Sequence, residues 1–338
     1  MKKHIVIVGT FLLLVLAFAV CSAPAAEEKK MSKKAAKLMA QALEAIQAKQ
    51  PDAAIDLLRQ VISLEPENAM VRHNLGVLFF DKGLTEEAIS NFEVALQLQP
   101  DYQNALLALR QALFEAGKNL GAKGEHEKAN ASLLRLESLP LPPTENRGLR
   151  ASAFYLLGYN FFNLKQYTKA IEYFSKCQAV EGLEQDNIDL FANATYFLGM
   201  MAHIQGQYEA SNVNFRKYLS LFAASPAKPE FYSHANYFIG ANLFRLLEAK
   251  MAKGDVAGMA EATAEILPHL TTAVESKIPS EDAHVMLGNC YVYQKEYEKA
   301  VQAYQRLIEL FPQSPQLKNY QVFLGELQKM QQPEKKKR

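Results

Sequence analysis

A set of fixed offsets recurs along this chain and constrains its fold more than any other feature. Taking the small residue of each apolar helical segment as origin, Gly76 is followed by Phe79 at +3, Ala88 at +12, Phe92 at +16 and Pro100 at +24. The same steps from Gly158 reach Phe161, Ala170 and Phe174, and from Gly288 they reach Tyr291, Ala300, Tyr304 and Pro312. Gly199 leads to Ala202, Ser211 and Phe215, with Ala210 one position early, and Ala42 leads to Ala45, Ala54, Leu58 and Pro66. The apolar period breaks between +3 and +12, at Asp81-Lys82-Gly83, Gln166-Tyr167, Gln205-Gly206-Gln207-Tyr208 and Lys295-Glu296-Tyr297. These segments therefore share one template: two helices of about a dozen residues joined by a turn. A small residue in the first helix facing a small one in the second lets the backbones approach. The aromatics at +3 and +16 fill the space around that contact, and proline stops the second helix. One hairpin cannot bury its apolar face alone, so neighbouring hairpins must stack.

Ala42 and Gly76 are 34 residues apart, Gly158, Gly199 and Gly240 are spaced by 41, and Gly288 follows after 48. The pattern resembles the tetratricopeptide repeat, whose unit is about 34 residues. That resemblance implies an all-α, TPR-like α-solenoid of about seven helical hairpins, at 33–68, 69–102, 103–138, 149–184, 188–222, 230–278 and 280–313. A C-terminal capping helix, roughly Pro315 to Met330, would cover the exposed end. Two units read as degenerate. In the third, the large Arg110 stands at the expected origin and the second helix, near Ala129 and Leu133, arrives late. In the sixth, the helix holding Gly240 runs to about Lys253 before Gly254-Asp255.

The stretch from Ser138 to Gly148 holds three prolines and cannot be helix throughout. It divides an N-terminal block of three hairpins (33–138) from a C-terminal block of four hairpins plus cap helix (149–330), with a Pro-rich linker at 139–148. A basic tail, 331–338, ends in Lys335-Lys336-Lys337-Arg338 and reads as a solvated end. Residues 1–26 have the layout of a signal peptide: Lys2, Lys3 and His4, then an apolar run from Ile5 to Val20, then small residues. The run is short of the ~20 residues a bilayer span needs, and Ala23-Pro24-Ala25 places cleavage near Ala25 or Ala26. An exported, periplasmic protein is the expectation. A rival expectation rests on Cys21, which follows the apolar run and precedes Ser22: this resembles a bacterial lipobox, although Phe18 and Val20 depart from it, and implies an outer-membrane lipid anchor.

Lys and Arg number 37 against 36 acidic residues, so no global field draws in nucleic acid or an anionic membrane. Cys177 and Cys290, far apart in sequence, read as buried free thiols. The histidines form no H-x-x-x-H or H-E-x-x-H pattern, and no metal or other cofactor is expected. There is no G-x-S-x-G and no phosphate-binding loop. The chain reads as a non-enzyme.

The tetratricopeptide resemblance further implies that five positions of each first helix line a concave groove. With the origin glycine as reference they fall on Ser152, Tyr155, Tyr159, Phe162 and Asn163 in the fourth hairpin, and on Asn193, Tyr196, Met200, His203 and Ile204 in the fifth. The sixth contributes His234, Tyr237, Ala241, Phe244 and Arg245, and the seventh Asp282, Val285, Asn289, Val292 and Tyr293. Tyrosine offers contact area and a hydroxyl at little entropic cost, which suits recognition of a peptide or amphipathic helix. The Lys and Asn or Arg that clamp a terminal carboxylate in some members are mostly absent from these positions, favouring an internal apolar or amphipathic segment. Gly206 to Tyr218 resembles units of periplasmic and outer-membrane assembly factors. The expected function is thus a protein-binding scaffold or adaptor of the bacterial cell envelope. Its alternatives are a lipid-anchored adaptor of outer-membrane or pilus assembly, and a binder of envelope polysaccharide or an enzyme acting on it.

Overall fold

The computed structural model describes residues 31–142, 146–275 and 280–331; the apolar leader, Cys21 and residues 332–338 lie outside them. All regular structure among the described residues is helical. The first three hairpins are α1 (Lys33–Gln47) with α2 (Pro51–Leu64), α3 (Ala69–Asp81) with α4 (Thr85–Leu98), and α5 (Gln103–Ala122) with α6 (His126–Ser138). The fourth is α7 (Arg147–Asn163) with α8 (Tyr167–Gln178), followed by a single turn, α9 (Leu183–Asp186). Then come α10 (Ile188–Ile204) with α11 (Tyr208–Leu221), α12 (Tyr232–Met251) with α13 (Met259–Val274), α14 (Glu281–Tyr293) with α15 (Tyr297–Leu310), and the closing α16 (Leu317–Gln331). The chain is a TPR-like α-solenoid.

Local chemistry sets the boundaries. Ser32, Asn68, Asn146, Asn187 and Ser280 cap first helices, each side chain accepting from the backbone N–H three residues on. Pro66, Pro100 and Pro312 each stand two residues beyond the end of a second helix.

The origin glycines differ from expectation in what they face. A Cβ on Gly76 would lie 2.6 Å from Phe92 Cε1, one on Gly158 2.8 Å from Phe174 Cδ1, and one on Gly288 2.5 Å from Tyr304 Cε2. The glycine thus makes room for the +16 side chain, which lies on the bare backbone; Gly199 does the same for Phe215. Ala88, Ala170 and Ala300, at +12, are fully buried beside that contact. The third hairpin follows the same rule from another origin. Gly117, not Arg110, faces the second helix: a Cβ on it would lie 2.5 Å from Leu133 Cγ, with Leu133 at +16 and the buried Ala129 at +12. Arg110 is instead a buried residue whose guanidinium donates to the carbonyls of Leu136, Leu139 and Pro140, at the end of α6 and in the proline-rich segment. In the sixth hairpin Gly240 faces Leu270, thirty residues on, because the longer α12 and the stretch before α13 delay the second helix.

Each second helix packs on the first helix of the following hairpin, and the first helices α3, α5, α7, α10, α12 and α14 also pack on one another in succession. Consecutive second helices make no comparable packing, so the first helices form the inner wall of the stack. One buried cluster runs from Ala35 to Ile239, across the join of α6 and α7, and two smaller ones continue it to Leu327.

Candidate functional site

The inner wall is richest in aromatic rings where α7, α10 and α12 meet. Phe197, buried on α10 two residues before Gly199, stacks on Phe174 of the preceding hairpin with centroids 5.0 Å apart. It forms a floor on which Tyr155, Tyr159 and Phe162 of α7 rest, at 6.1, 5.7 and 5.5 Å. Tyr159 is 38% exposed and stacks beside the half-buried Tyr155. One repeat later, Phe238 lies 5.1 Å from Phe215 in the same parallel stack, and the half-buried Tyr237 meets it edge-on. Neither floor phenylalanine follows from the offsets used above, yet both stand two residues before an origin glycine, 41 residues apart.

Three groove assignments are corrected, the small Ala241 being buried along with two aromatic rings. Tyr196 is buried: Phe231, from the segment before α12, stacks on it at 4.6 Å, and Phe215 and Tyr218 close its other sides. Phe244 is buried against Tyr293, 6.2 Å away. Both rings belong to the packing between hairpins.

His203 and Met200 are half-buried beside the aromatic floor. His203 Nδ1 lies 2.6 Å from Asn242 Oδ1, and the Asn242 amide donates to Ser211 Oγ at 2.9 Å and Asn212 Oδ1 at 2.8 Å. With the amide oriented by those two acceptors, its oxygen receives the His203 Nδ1–H, which fixes the tautomer. Further along, Arg245 is exposed, and Asn289 accepts from the Tyr304 hydroxyl at 2.7 Å, anchoring α14 to α15. The groove residues therefore fall into two groups: Tyr155, Tyr159 and Phe162 with Met200, His203 and Tyr237 around α10, and Arg245, Asn289 and Tyr293 on α12 and α14.

This surface is nearly free of formal charge. After Arg150 and before Arg245, helices α7, α10 and α12 carry no Lys or Arg and one acid, Asp189. Burial raises the phenol pKa of Tyr155, so it stays a neutral hydrogen-bonding group. Cys177 and Cys290 are buried thiols pushed up to about 12 by desolvation, which leaves them unreactive as nucleophiles. Among the described residues no three His, Cys, Asp or Glu side chains group as metal ligands, and no helix is long and apolar enough to cross a membrane.

Tetratricopeptide repeat models match the chain in three places: residues 39–103, 151–181 and 281–314, which are the first two hairpins, the fourth and the seventh. No curated protein matches the sequence. Among solved structures, MamA from Desulfovibrio magneticus RS-1 is similar at 18% identity over 59% of this chain and 100% of that one, with a TM-score of 0.36. A tetratricopeptide repeat protein from Parabacteroides merdae ATCC 43184 is similar at 16% identity over 88% and 99% of the two chains, with a TM-score of 0.35. YrrB, described as a TPR protein with an unusual peptide-binding site, is similar at 18% identity over 64% and 91%, with a TM-score of 0.36.

Proposed function

We propose that this chain is a non-catalytic scaffold that holds a partner protein, through an apolar or amphipathic peptide or helix segment, on the inner wall of hairpins four to six. The observation that carries this reading is the aromatic surface of Tyr155, Tyr159 and Phe162 on the Phe197 floor, built on rigid helices and lacking charge. Rings fixed by their neighbours lose little entropy on binding, and an uncharged wall spares an apolar partner the cost of desolvating ions. A photo-crosslinking amino acid placed at Tyr159, and separately at the 66% exposed Val213 on the second helix α11, tests it in native extracts. A partner captured from Tyr159 and not from Val213 is expected. The same partners from both positions would show that the inner wall has no special role.

The place of action belongs to the same proposal. The basic start, apolar run and Ala23-Pro24-Ala25 favour export to the periplasm of a bacterial envelope, where the scaffold would assemble or localise a complex. Cys21, directly after the run, favours a second reading in which a lipid holds the protein at the outer membrane. Intact-mass measurement of the N-terminus separates them: a free terminus near Ala26 or Glu27 removes the lipid anchor, a lipid-modified Cys21 at the terminus removes the free form, and a retained Met1 removes both in favour of an uncleaved apolar anchor.

A further inference from the structure

Some of the gaps between consecutive second helices are bridged by charge, and at the last of them a cation of the repeat meets no carboxylate from the preceding second helix. Eighteen residues after the origin glycine, four hairpins carry a cation: Arg135, Lys176, Lys217 and Arg306. Arg135 pairs with Glu93 on the second helix of the preceding hairpin. Lys176 pairs at 2.9 Å with Glu137 on its own preceding second helix, and Tyr173 donates to the same carboxylate at 2.7 Å. Lys217 sits 4.5 Å from the Phe191 ring centroid. Arg306 on α15 instead pairs with its helix neighbour Glu309 at 3.1 Å, with both side chains more than half exposed.

The reason lies on α13. Since Leu270 faces Gly240 as Leu133 faces Gly117, Thr271 occupies the place of Glu93 and Val274 the place of Glu137. Where the bridging carboxylates would stand there is a cleft of about 520 Å³, open to solvent, whose lining includes Val274, Leu287 and Leu310 along with His284, Lys299 and Arg306. Among the described residues no acidic side chain lines it. His284 is 4% exposed, and its Nδ1 lies 2.8 Å from the Ser280 carbonyl. Lys299 pairs with Glu296 at 2.7 Å and lies over Tyr291. Exposed pairs within one helix are weak and yield to a better placed anion.

We infer that this cleft is a binding site for a carboxylate carried on an apolar chain, the carboxylate taking between α13 and α15 the role that Glu137 fills between α6 and α8. A planar carboxylate suits the guanidinium fork of Arg306, and the apolar chain lies along Val274, Leu287 and Leu310. The site faces outward between second helices and is independent of the inner wall.

Calorimetric titration of the whole protein with monomeric octanoate, and with octanamide as the same chain without charge, tests the inference. Octanoate is expected to bind at least tenfold more tightly than octanamide. Arg306→Gln, which alters an exposed side chain, should weaken octanoate at least tenfold. Val274→Glu, which restores the internal carboxylate, should abolish its binding without lowering the melting temperature. Acetyl-Leu-Leu and its C-terminal amide locate the source: a preference for this acid over octanoate, lost in Arg306→Gln, assigns the carboxylate to a peptide terminus, and the reverse order assigns it to a free acid. Equal binding of octanoate and octanamide, octanoate or peptide-acid affinity unmoved by Arg306→Gln, or no binding by either acid overturns the inference.

Discussion

The first helix of all seven hairpins closes in one geometry, and the residue that makes the turn is glycine in four of them and lysine in three. Gly83, Gly124, Gly206 and Gly254 have φ between 72° and 80°, while Lys49, Lys165 and Lys295 have φ of 55°, 58° and 62°. In each the turn residue donates its N–H to the carbonyl three back and the next residue donates to the carbonyl five back, as Lys165 does to Phe162 and Gln166 to Phe161. This is the Schellman closure, which glycine enters freely. A residue with a Cβ pays about 1–2 kcal/mol to sit there, whereas glycine gives back about 0.4–1 kcal/mol through the freedom of its unfolded chain. Lys165→Gly should therefore stabilise the fourth hairpin by about 0.5–1 kcal/mol. The converse, Gly206→Ala, should cost the fifth about 1 kcal/mol for purely conformational reasons, because no atom lies within 4 Å of the added Cβ. Stacked repeats open locally, so native-state hydrogen exchange is the suitable assay. Protection in α7 and α8 should rise about two- to fivefold in Lys165→Gly, since tenfold corresponds to about 1.4 kcal/mol. Unchanged protection in both variants would refute the argument that backbone strain at these turns is paid in stability.

Gly158→Ala should cost about 1–3 kcal/mol, because its Cβ meets the fully buried Phe174, and adding Phe174→Leu should recover part of that loss in urea denaturation. Tyr196→Ala should cost about 3–5 kcal/mol, as for a buried aromatic, and Tyr159→Ala less than about 1 kcal/mol; equal losses would contradict the core placement of Tyr196. Burial holds the pKa of His73 and His269 below the ordinary imidazole value of 6.5, so the unfolded chain binds more protons than the folded one as pH falls past that value. Their contribution to stability is complete above pH 6.5 and is lost as pH falls through the folded-state pKa. The melting temperature should thus drop on acidification through this range, and drop less in a His73→Gln, His269→Gln double variant.

Most of the helical framework was legible because one steric rule repeats. A ring that must lie against a bare backbone needs glycine sixteen residues earlier, and that need writes Gly76, Gly158, Gly199 and Gly288 into fixed places. The third hairpin escapes the fixed spacing: 34 residues beyond Gly76 stands Arg110, but the 20-residue α5 carries its origin 41 residues on, to Gly117. Arg110 stands at that spacing without serving as an origin. Its side chain satisfies three carbonyls where the chain leaves α6, a task set by the proline-rich segment that follows and not by the repeat.

The binding face was legible only to the extent that exposure follows from position in the repeat. Tyr155, Tyr159 and Tyr196 have equivalent standing in the pattern, but Tyr196 is covered by Phe231, from a segment between hairpins that obeys no repeat rule. Phe197 and Phe238 could have been found by extending the template two residues before the glycine, since stacking on the +16 ring of the preceding hairpin requires an aromatic there. The outer cleft was beyond such extension. Val274 aligns with Glu137 only after Leu270 is seen to face Gly240 thirty residues away rather than sixteen, and the lengthened α12 conceals that register from any fixed offset. The lengthening that hides the site also explains it. A displaced second helix brings different side chains to the gap, so Arg306 keeps the cation of the repeat while α13 no longer supplies the carboxylate to meet it.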